Sequence, residues 1–324
     1  MRASLSGRTC LVTGGAGFIG SHLVDELLEA GASVRVLDDF SSGYKSNLAH
    51  VSEDAPLEVR TGDASDADVT AQAVQGCDTI FHLAAMVSVP RSMREPQKCH
   101  DQCATSTVNL LAAAEASGVR RLVLASTSAI YGDSTFVSKR ESDPPAPLSP
   151  YAAAKLSAES YLQCFAKSSS VETVALRFFN VFGPRQDPQS EYSAVIPRFV
   201  SMILSGDRPV IYGDGNQSRD FVFVRDVAQA NVLAATVPDV SGGIFNVARG
   251  SSTTLLELLT TLRELLGQEI APIHKPARLG DVRDSLADTN QIRSRLGFEP
   301  QVSIREGLRQ SIEYYRSVCD PVGS

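Results

Sequence analysis

The stretch from Thr9 to His22 constrains this chain more than any other. Thr9, Cys10, Leu11 and Val12 read as a short buried strand, apolar and β-branched. Gly14, Gly17 and Gly20 follow at regular spacing, and Gly15 adds a second, overlapping G-x-G-x-x-G frame. A helical pattern then runs from Phe18 to Ala30, with Ile19, Leu23, Leu27 and Leu28 on one face, and stops at Gly31. Strand, glycine turn and helix in this order form the context that a dinucleotide fingerprint requires. Gly14 and Gly17 let the backbone turn sharply and approach a pyrophosphate, and Gly20 lets the helix pack tightly on its strand. The free N–H groups of the helix start attract the same anion.

A second strand, Ser33–Leu37, ends at Asp38 and Asp39, and Asp38 lies eighteen residues after Gly20. An acid at that tip accepts the hydrogen bonds of an adenosine ribose and repels the 2′-phosphate of NADP. The cofactor read from these residues is NAD, with Asp38 as the ribose acceptor and Asp39 its neighbour.

Residues 56–60, 79–83, 122–125 and 173–177 read as further strands, separated by helices at 66–76, 101–117 and 150–167. The last of these has Ser149 as its cap and Pro150 in its first turn. Strict alternation of strand and helix makes the sheet parallel and doubly wound, an α/β (Rossmann) architecture. From Phe178 the pattern loosens into turns, Pro and Gly around one helix near 194–205, which suits a smaller mixed α/β substrate lobe. The chain is expected to return to the first domain at Phe221, with a strand at 244–247. Helices near 254–266 and 303–317 fall in the lobe. The boundaries so read are 1–177 and 221–248 for the dinucleotide domain, and 178–220 and 249–324 for the lobe.

Composition narrows the function classes. A net charge of −7 leaves no basic stripe for a nucleic acid, and no apolar run reaches membrane-spanning length. Nothing behind Met1 resembles a signal-peptide core. The six cysteines include no C-x-x-C pair. Cys99 and Cys103 share a helix face, but a metal site needs more ligands than His100. No metal is expected, and free thiols point to a cytoplasmic location.

Tyr151 and Lys155 stand one helical turn apart on one face. A phenol is no base at neutral pH, but a neighbouring ammonium, a helix N-terminus and the nicotinamide ring of NAD⁺ all favour the phenolate. The hydroxyl-rich strand end Ser126-Thr127-Ser128 is placed to hydrogen-bond a substrate alcohol, and Ala84 and Ala85 are small enough to lie against a flat ring.

With these motifs the chain resembles the extended short-chain dehydrogenases/reductases, and within them the nucleotide-sugar epimerases. The resemblance spans nearly the whole length. It rests on residues 13–22, 36–43, Gly62-Asp63, 82–85, 126–132, Tyr151 to Lys155, 177–185, 212–215, 219–221 and 280–288. It implies NAD contacts at Phe18, Ile19, Phe40, Ser42, Gly43, Leu83, Ser126 and Phe178, the last near the nicotinamide, with Asp63 and Ala64 flanking the adenine. It implies that Asn180, Arg219 and Arg278 hold a UDP moiety, and that Ser88, Thr127, Ser128 and Ser285 face the sugar. The implied reaction is a 4-epimerisation of a UDP-sugar by transient oxidation, with Thr127, Tyr151 and Lys155 catalytic and NAD tightly held.

Three other readings compete. Sugar 4,6-dehydratases carry an Asp-Glu pair after the catalytic Thr, where this chain has Ser128 and Ala129. Uronate 4-epimerases show an Arg where this chain has Asp187, an acid that would repel a sugar carboxylate. A non-catalytic dinucleotide sensor on the same fold would lose the Tyr or the Lys, and both are kept. Cys103 and Ser106 depart from the Asn and Gly common in relatives, and no catalytic thiol is inferred from that. The helices at 101–117 and 150–167 present Ala- and Leu-rich faces that relatives pair into a homodimer. Ser285, in place of a bulky Tyr, leaves room for an N-acetyl group. UDP-GlcNAc and UDP-GalNAc are therefore the expected pair, with UDP-glucose and UDP-galactose also accepted.

Overall fold

The computed structural model describes residues 5–134, 136–188, 194–277 and 283–319, with only the backbone described at Cys319. The first half alternates as its sequence demands: β1 (Thr9–Thr13), α1 (Phe18–Glu29), β2 (Ser33–Asp38), β3 (Leu57–Thr61), α2 (Ala67–Val74) and β4 (Thr79–His82). Next come α3 (Val89–Arg94), α4 (Pro96–His100), a π-helical turn over Asp101–Thr105, and α5 (Ser106–Ala116). They are followed by β5 (Arg121–Thr127), a 3₁₀ turn at Ser128–Tyr131, α6 (Pro150–Ser168) and β6 (Glu172–Phe178). The second half contains β7 (Asn180–Phe182), α7 (Val195–Leu204), β8 (Val210–Tyr212), β9 (Ser218–Phe223), α8 (Val224–Thr236) and β10 (Gly243–Val247). It closes with β11 (Ser252–Thr254), α9 (Leu255–Leu266), β12 (Ile273–Lys275), α10 (Asn290–Leu296) and α11 (Ile304–Cys319).

Seven strands form one sheet in the order β10-β6-β5-β4-β1-β2-β3, every pair parallel. This is the doubly wound α/β sheet. Its strand order reverses between β1 and β4, and their carboxyl ends open the crevice where such sheets bind ligands. One face is sealed by Leu23, Val24 and Leu27 of α1 with Val227, Ala230 and Ala234 of α8. The other face is sealed by Val74 of α2, Leu110, Leu111 and Ala114 of α5, and Ala158 and Leu162 of α6.

Three departures from the sequence reading have physical causes. The helix expected over 101–117 starts earlier, at Pro96, because Pro fits a first helical turn. It then widens into the π turn, where the Ser106 and Thr107 hydroxyls donate to the Gln102 and Cys103 carbonyls at 2.9 and 2.7 Å. The strand around Phe221 does not return to the large sheet. β9 pairs with β7 and β11 in a separate three-stranded sheet, and the chain comes back only with α8. Conversely α10, expected in the lobe, packs Ile292 and Leu296, with Phe298 behind them, into the core of the large domain. Both shifts move the expected boundaries at 221 and 249.

The lobe has its own core, built from Phe199, Val200 and Ile203 of α7, Leu258, Leu259 and Leu262 of α9, and Leu308 and Ile312 of α11. One buried carboxylate ties its segments together. Asp220 on β9 accepts backbone N–H bonds from Arg249 at 2.9 Å, Gly250 at 3.0 Å and Ala287 at 3.2 Å. Burial pushes its pKa up to about 6 against those three donors.

Candidate active site

The crevice at the strand ends holds a cavity of about 420 Å³. Its floor is the glycine loop. Gly14 has φ +70°, and a Cβ there would meet the Ala84 nitrogen at 2.8 Å. A Cβ on Gly20 would sit 2.0 Å from the Gly14 oxygen, so helix and turn can touch only without one. Unlike α2, α6 and α9, which are capped by Asp66, Ser149 and Thr254, α1 begins at Gly17 with no side chain on its first N–H groups. Such a helix start favours an anion.

At one end Asp38 and Asp39 line the wall. Asp38 does more than face the cavity: its oxygens accept the Ala16 and Phe40 N–H groups at 2.8 and 2.9 Å and so pin the glycine loop to β2. Burial raises its pKa, while those two donors act against the rise. Ser42, Gly43, Asp63 and Ala64 continue the wall. Phe18, Ile19, Leu83, Ala84, Ala85, Ser126, Tyr151, Lys155 and Phe178 complete the set that the sequence put together, with Gly14, Gly17 and Gly20. Phe40, between the lining residues Asp39 and Ser41, has a left-handed backbone at φ 56°, and its ring packs against the sheet core under the Lys45 ammonium.

Sequence reasoning missed Gln102, Gln186 and Ala194, which reach the cavity from the π turn and from the start of the lobe. Asp187 also lines it, and accepts a hydrogen bond from the Tyr44 hydroxyl at 2.8 Å. The sequence already reads Asp187 as an acid facing the sugar, whereas no sequence signal marks Gln102, Gln186 and Ala194, whose proximity comes from chain folding.

Tyr151 and Lys155 stand at the other end of the cavity, on the first turns of α6. The Thr127 hydroxyl accepts the Ala129 N–H at 3.1 Å, and Thr127 acts to lower the neighbouring Tyr151 phenol. The ammonium of Lys155 donates to the Ala125 carbonyl at 2.8 Å. Burial, and after it the neighbouring Cys103, push the Tyr151 phenol up, and Thr127 acts against them; the nicotinamide charge in the sequence reading comes only with NAD. Lys155 is likewise lowered by its burial.

A buried network fixes the wall behind them. Ser126 donates to Glu159 at 2.5 Å, Arg177 clamps the same carboxylate at 2.8 and 3.0 Å, and Arg177 reaches the Tyr131 hydroxyl at 2.9 Å. On the far side, Thr13 and Ser106 bracket His82 at 2.8 and 3.1 Å, and burial holds that imidazole neutral.

A second cavity of about 220 Å³ adjoins the first at Ala194. Asn180 and Arg219 line it as expected, together with Arg198, Tyr212 and Gln217, which sequence reasoning missed. Ser285 lines neither cavity; its N–H donates to the Ser218 carbonyl at 3.1 Å, next to Arg219. Arg278 lies outside the described residues. Ser88 caps α3 and Ser128 opens the 3₁₀ turn, and neither lines either cavity.

A glycine-floored crevice with paired acids at one end and a Tyr–Lys–Thr cluster at the other fits a dinucleotide. Comparison with known proteins agrees. Residues 10–248 match the model of the NAD dependent epimerase/dehydratase family. The chain belongs to that family. Its cofactor is NAD, and its fold is the family's Rossmann sheet with a second, smaller lobe. A UDP-glucose 4-epimerase of Mycolicibacterium smegmatis is 40% identical over 95% of this chain and 98% of its own. The structure of a UDP-N-acetylglucosamine 4-epimerase from Methanobrevibacter ruminantium M1, in complex with UDP-N-acetylmuramic acid, superposes with a TM-score of 0.93. It is 40% identical and covers 97% of this chain and 100% of that one. A Thermus thermophilus UDP-glucose 4-epimerase in complex with NAD has a TM-score of 0.85 at 36% identity, over 95% and 99% of the two chains. Family member and relatives alike are enzymes of UDP-sugar chemistry, and no helix among the described residues is long and apolar enough to cross a membrane.

Proposed function

We propose that this protein is an isomerase that interconverts UDP-GlcNAc with UDP-GalNAc, and UDP-glucose with UDP-galactose, by inverting the sugar at carbon 4. The observation that carries the proposal is the placement of Tyr151 and Lys155 together in the wall of the cofactor cavity, on the first turns of α6, with the Arg219 cavity adjoining it. The glycine loop and α1 would hold the pyrophosphate of NAD, Asp38 and Asp39 its ribose, Asp63 and Ala64 its adenine, and Phe178 its nicotinamide. When bound, NAD supplies the hydride acceptor and donor for carbon 4.

Tyr151 takes the 4-hydroxyl proton of the sugar, and Thr127 orients that hydroxyl by hydrogen bonding. Burial makes the phenol a strong base once ionised, and Lys155 supplies the positive charge that ionisation needs. Arg219 and Asn180, with Arg278, keep the UDP clamped while the 4-keto sugar turns its other face, and Tyr151 then returns the proton. Arginine suits this task because its planar fork matches a phosphate.

Three competing reactions find no support in the side chains. Elimination needs an acid after Thr127, and Ser128 and Ala129 offer none. A uronate carboxylate would meet Asp187 in the cavity wall. A mere NAD sensor has no use for Tyr151 and Lys155 kept together in the cavity wall. The exposed faces of α5 and α6, with Ala112, Ala153 and a half-exposed Tyr161, are assigned to a homodimer, which light scattering at micromolar protein checks.

Substrate choice is assigned to Ser285, which is bonded next to Arg219 and whose small side chain leaves room for an N-acetyl group. The test compares kcat/KM for the acetylated and non-acetylated pairs in wild type and in Ser285→Tyr. The variant is expected to lose about tenfold or more on the acetylated pair alone. Wild-type turnover of only the non-acetylated pair, or a Ser285→Tyr variant with unchanged N-acetyl turnover, refutes the assignment.

A further inference from the structure

His82 at the end of β4 is fully buried, as are Thr13 of β1 and Ser106 of α5 on either side of it. Nothing in the mechanism above uses this imidazole, yet both ends of its hydrogen-bond chain reach the cofactor cavity. At one end the Ala84 nitrogen, which a Cβ on Gly14 would meet at 2.8 Å, donates to the Thr13 hydroxyl at 3.2 Å. The Thr13 oxygen lies 2.8 Å from His82 Nδ1. At the other end His82 Nε2 lies 3.1 Å from the Ser106 oxygen, and the Ser106 hydroxyl donates to the Gln102 carbonyl at 2.9 Å. Ala84 and Gln102 both line the cavity.

The Ser106 side fixes the direction of the chain. A carbonyl only accepts, so the single Ser106 proton goes to Gln102, and Nε2 must carry the proton between ring and hydroxyl. A backbone N–H only donates, so the Thr13 oxygen takes Ala84 and its own proton remains for Nδ1. The imidazole is therefore neutral, with Nε2 protonated and Nδ1 bare. A second proton on Nδ1 would point at an oxygen already taking the Ala84 N–H, and burial, with Lys155 after it, disfavours that proton too. The Ser106 bond also replaces one of backbone. In an α-helix the Ser106 N–H would reach the Gln102 carbonyl, four residues back. In the π turn it reaches Asp101 instead, and the hydroxyl makes the bond to Gln102. Such turns inside helices are frequent at functional sites.

We propose that His82 is a positioning residue for the cofactor. As a neutral imidazole protonated at Nε2 alone, it holds the Ser106 hydroxyl in the bond that keeps the π turn open, and so presents Gln102 to NAD. The Gln102 amide both donates and accepts, which suits the polar groups of a dinucleotide. Thr13 anchors the same imidazole to the glycine floor, so floor and wall are held at one spacing. The role concerns NAD alone and is independent of the sugar.

The test uses the purified full-length protein and two readouts that need no turnover. The first is proton–nitrogen NMR at neutral pH on protein carrying nitrogen-labelled histidine. The imidazole that disappears in His82→Gln is expected to show a protonated Nε2 beside a bare Nδ1. In Ser106→Ala its Nε2 signal should shift, because the acceptor is gone. The second readout is the rate at which bound NAD exchanges with radiolabelled NAD. Ser106→Ala and His82→Leu are expected to release NAD about tenfold faster than wild type, the effect of about one buried hydrogen bond. Gln102→Ala, which leaves the chain of bonds intact, should match them. His82→Gln, whose amide also offers one acceptor and one donor, should stay within about twofold of wild type. An Nδ1-protonated or doubly protonated His82 overturns the proposal. So does wild-type NAD release from a folded Ser106→Ala, His82→Leu or Gln102→Ala. The tautomer is read on wild type, so it decides the matter even where His82→Leu does not fold. Either failure leaves the sugar assignment standing, which is tested by turnover.

Discussion

The two cavities are built in opposite ways. The cofactor crevice is floored by backbone: residues 14–20 close on themselves, Ala84 touches Gly14, and Asp38 ties the loop to β2. The lobe cavity is lined by side chains from β7, α7, β8 and β9, and residues 283–287 are bonded to β9. Its sheet is held to the rest by polar tethers such as Asp220. A backbone site has few ways to vary, because every contact constrains a conformation. A side-chain site assembled from distant segments can change specificity one residue at a time. This contrast explains how one cofactor arrangement serves relatives with different sugars.

The largest effect expected belongs to neither cavity alone but to their junction. Tyr151→Phe removes only the proton acceptor, so kcat should fall about 10³- to 10⁴-fold while NAD is still released on denaturing the purified protein. Retention of a tenth of wild-type activity would mean another base does the work. Within the lobe, Arg219→Ala should raise KM about a hundredfold, as expected for a lost charge-assisted phosphate bond, with NAD content unchanged. Loss of NAD in that variant would show that the two cavities are not separable.

The cofactor floor should fail differently. Gly20→Ala places a methyl group 2.0 Å from the Gly14 oxygen, so the turn must open. About 2 kcal/mol of stability and most of the bound NAD should be lost together, read by denaturant unfolding and by NAD content. A stable, NAD-loaded Gly20→Ala protein would refute the account of the floor.

The last effect, nearly silent in wild type, is a pair of opposed pH dependences, one from each region. Asp220 of the lobe has a folded pKa of about 6 against an ordinary 3.8. Between those values the folded chain holds a proton that the unfolded chain has released, so its contribution is full below 3.8 and is lost as pH rises through 6. His22 of α1, buried and bonded to the Pro184 carbonyl, is lowered to about 4 from 6.5, chiefly by desolvation. Its contribution runs the other way: it is full above 6.5 and is lost as pH falls through 4. Each amounts to about 3 kcal/mol at most, and over pH 4–6 they nearly cancel in wild type. Asp220→Asn should therefore unmask stability that rises with pH, and His22→Gln stability that falls. Parallel curves for wild type and both variants in urea titrations would refute both assignments.

The glycine floor, the strand–helix alternation, the acid pair after β2 and the Tyr151–Lys155 face are all legible in the chain. Each is a local matter. A left-handed turn needs Gly14, a helix start beside a strand needs Gly20, and residues four apart share a helix face whatever surrounds them.

Tertiary structure alone decided the rest. Pairing placed β9 in a second sheet, and the apolar face of α10 drew residues 290–298 back to the large domain. Folding brought Gln102, Gln186 and Ala194 to the crevice, which no sequence signal places there. It also set the proton affinity of Tyr151, which spacing to Lys155 suggested was low and which burial beside Cys103 makes high. Desolvation and charge depend on everything that packs around a group. A sequence states which residues are neighbours along the chain, and only the folded chain states which of them have lost their water.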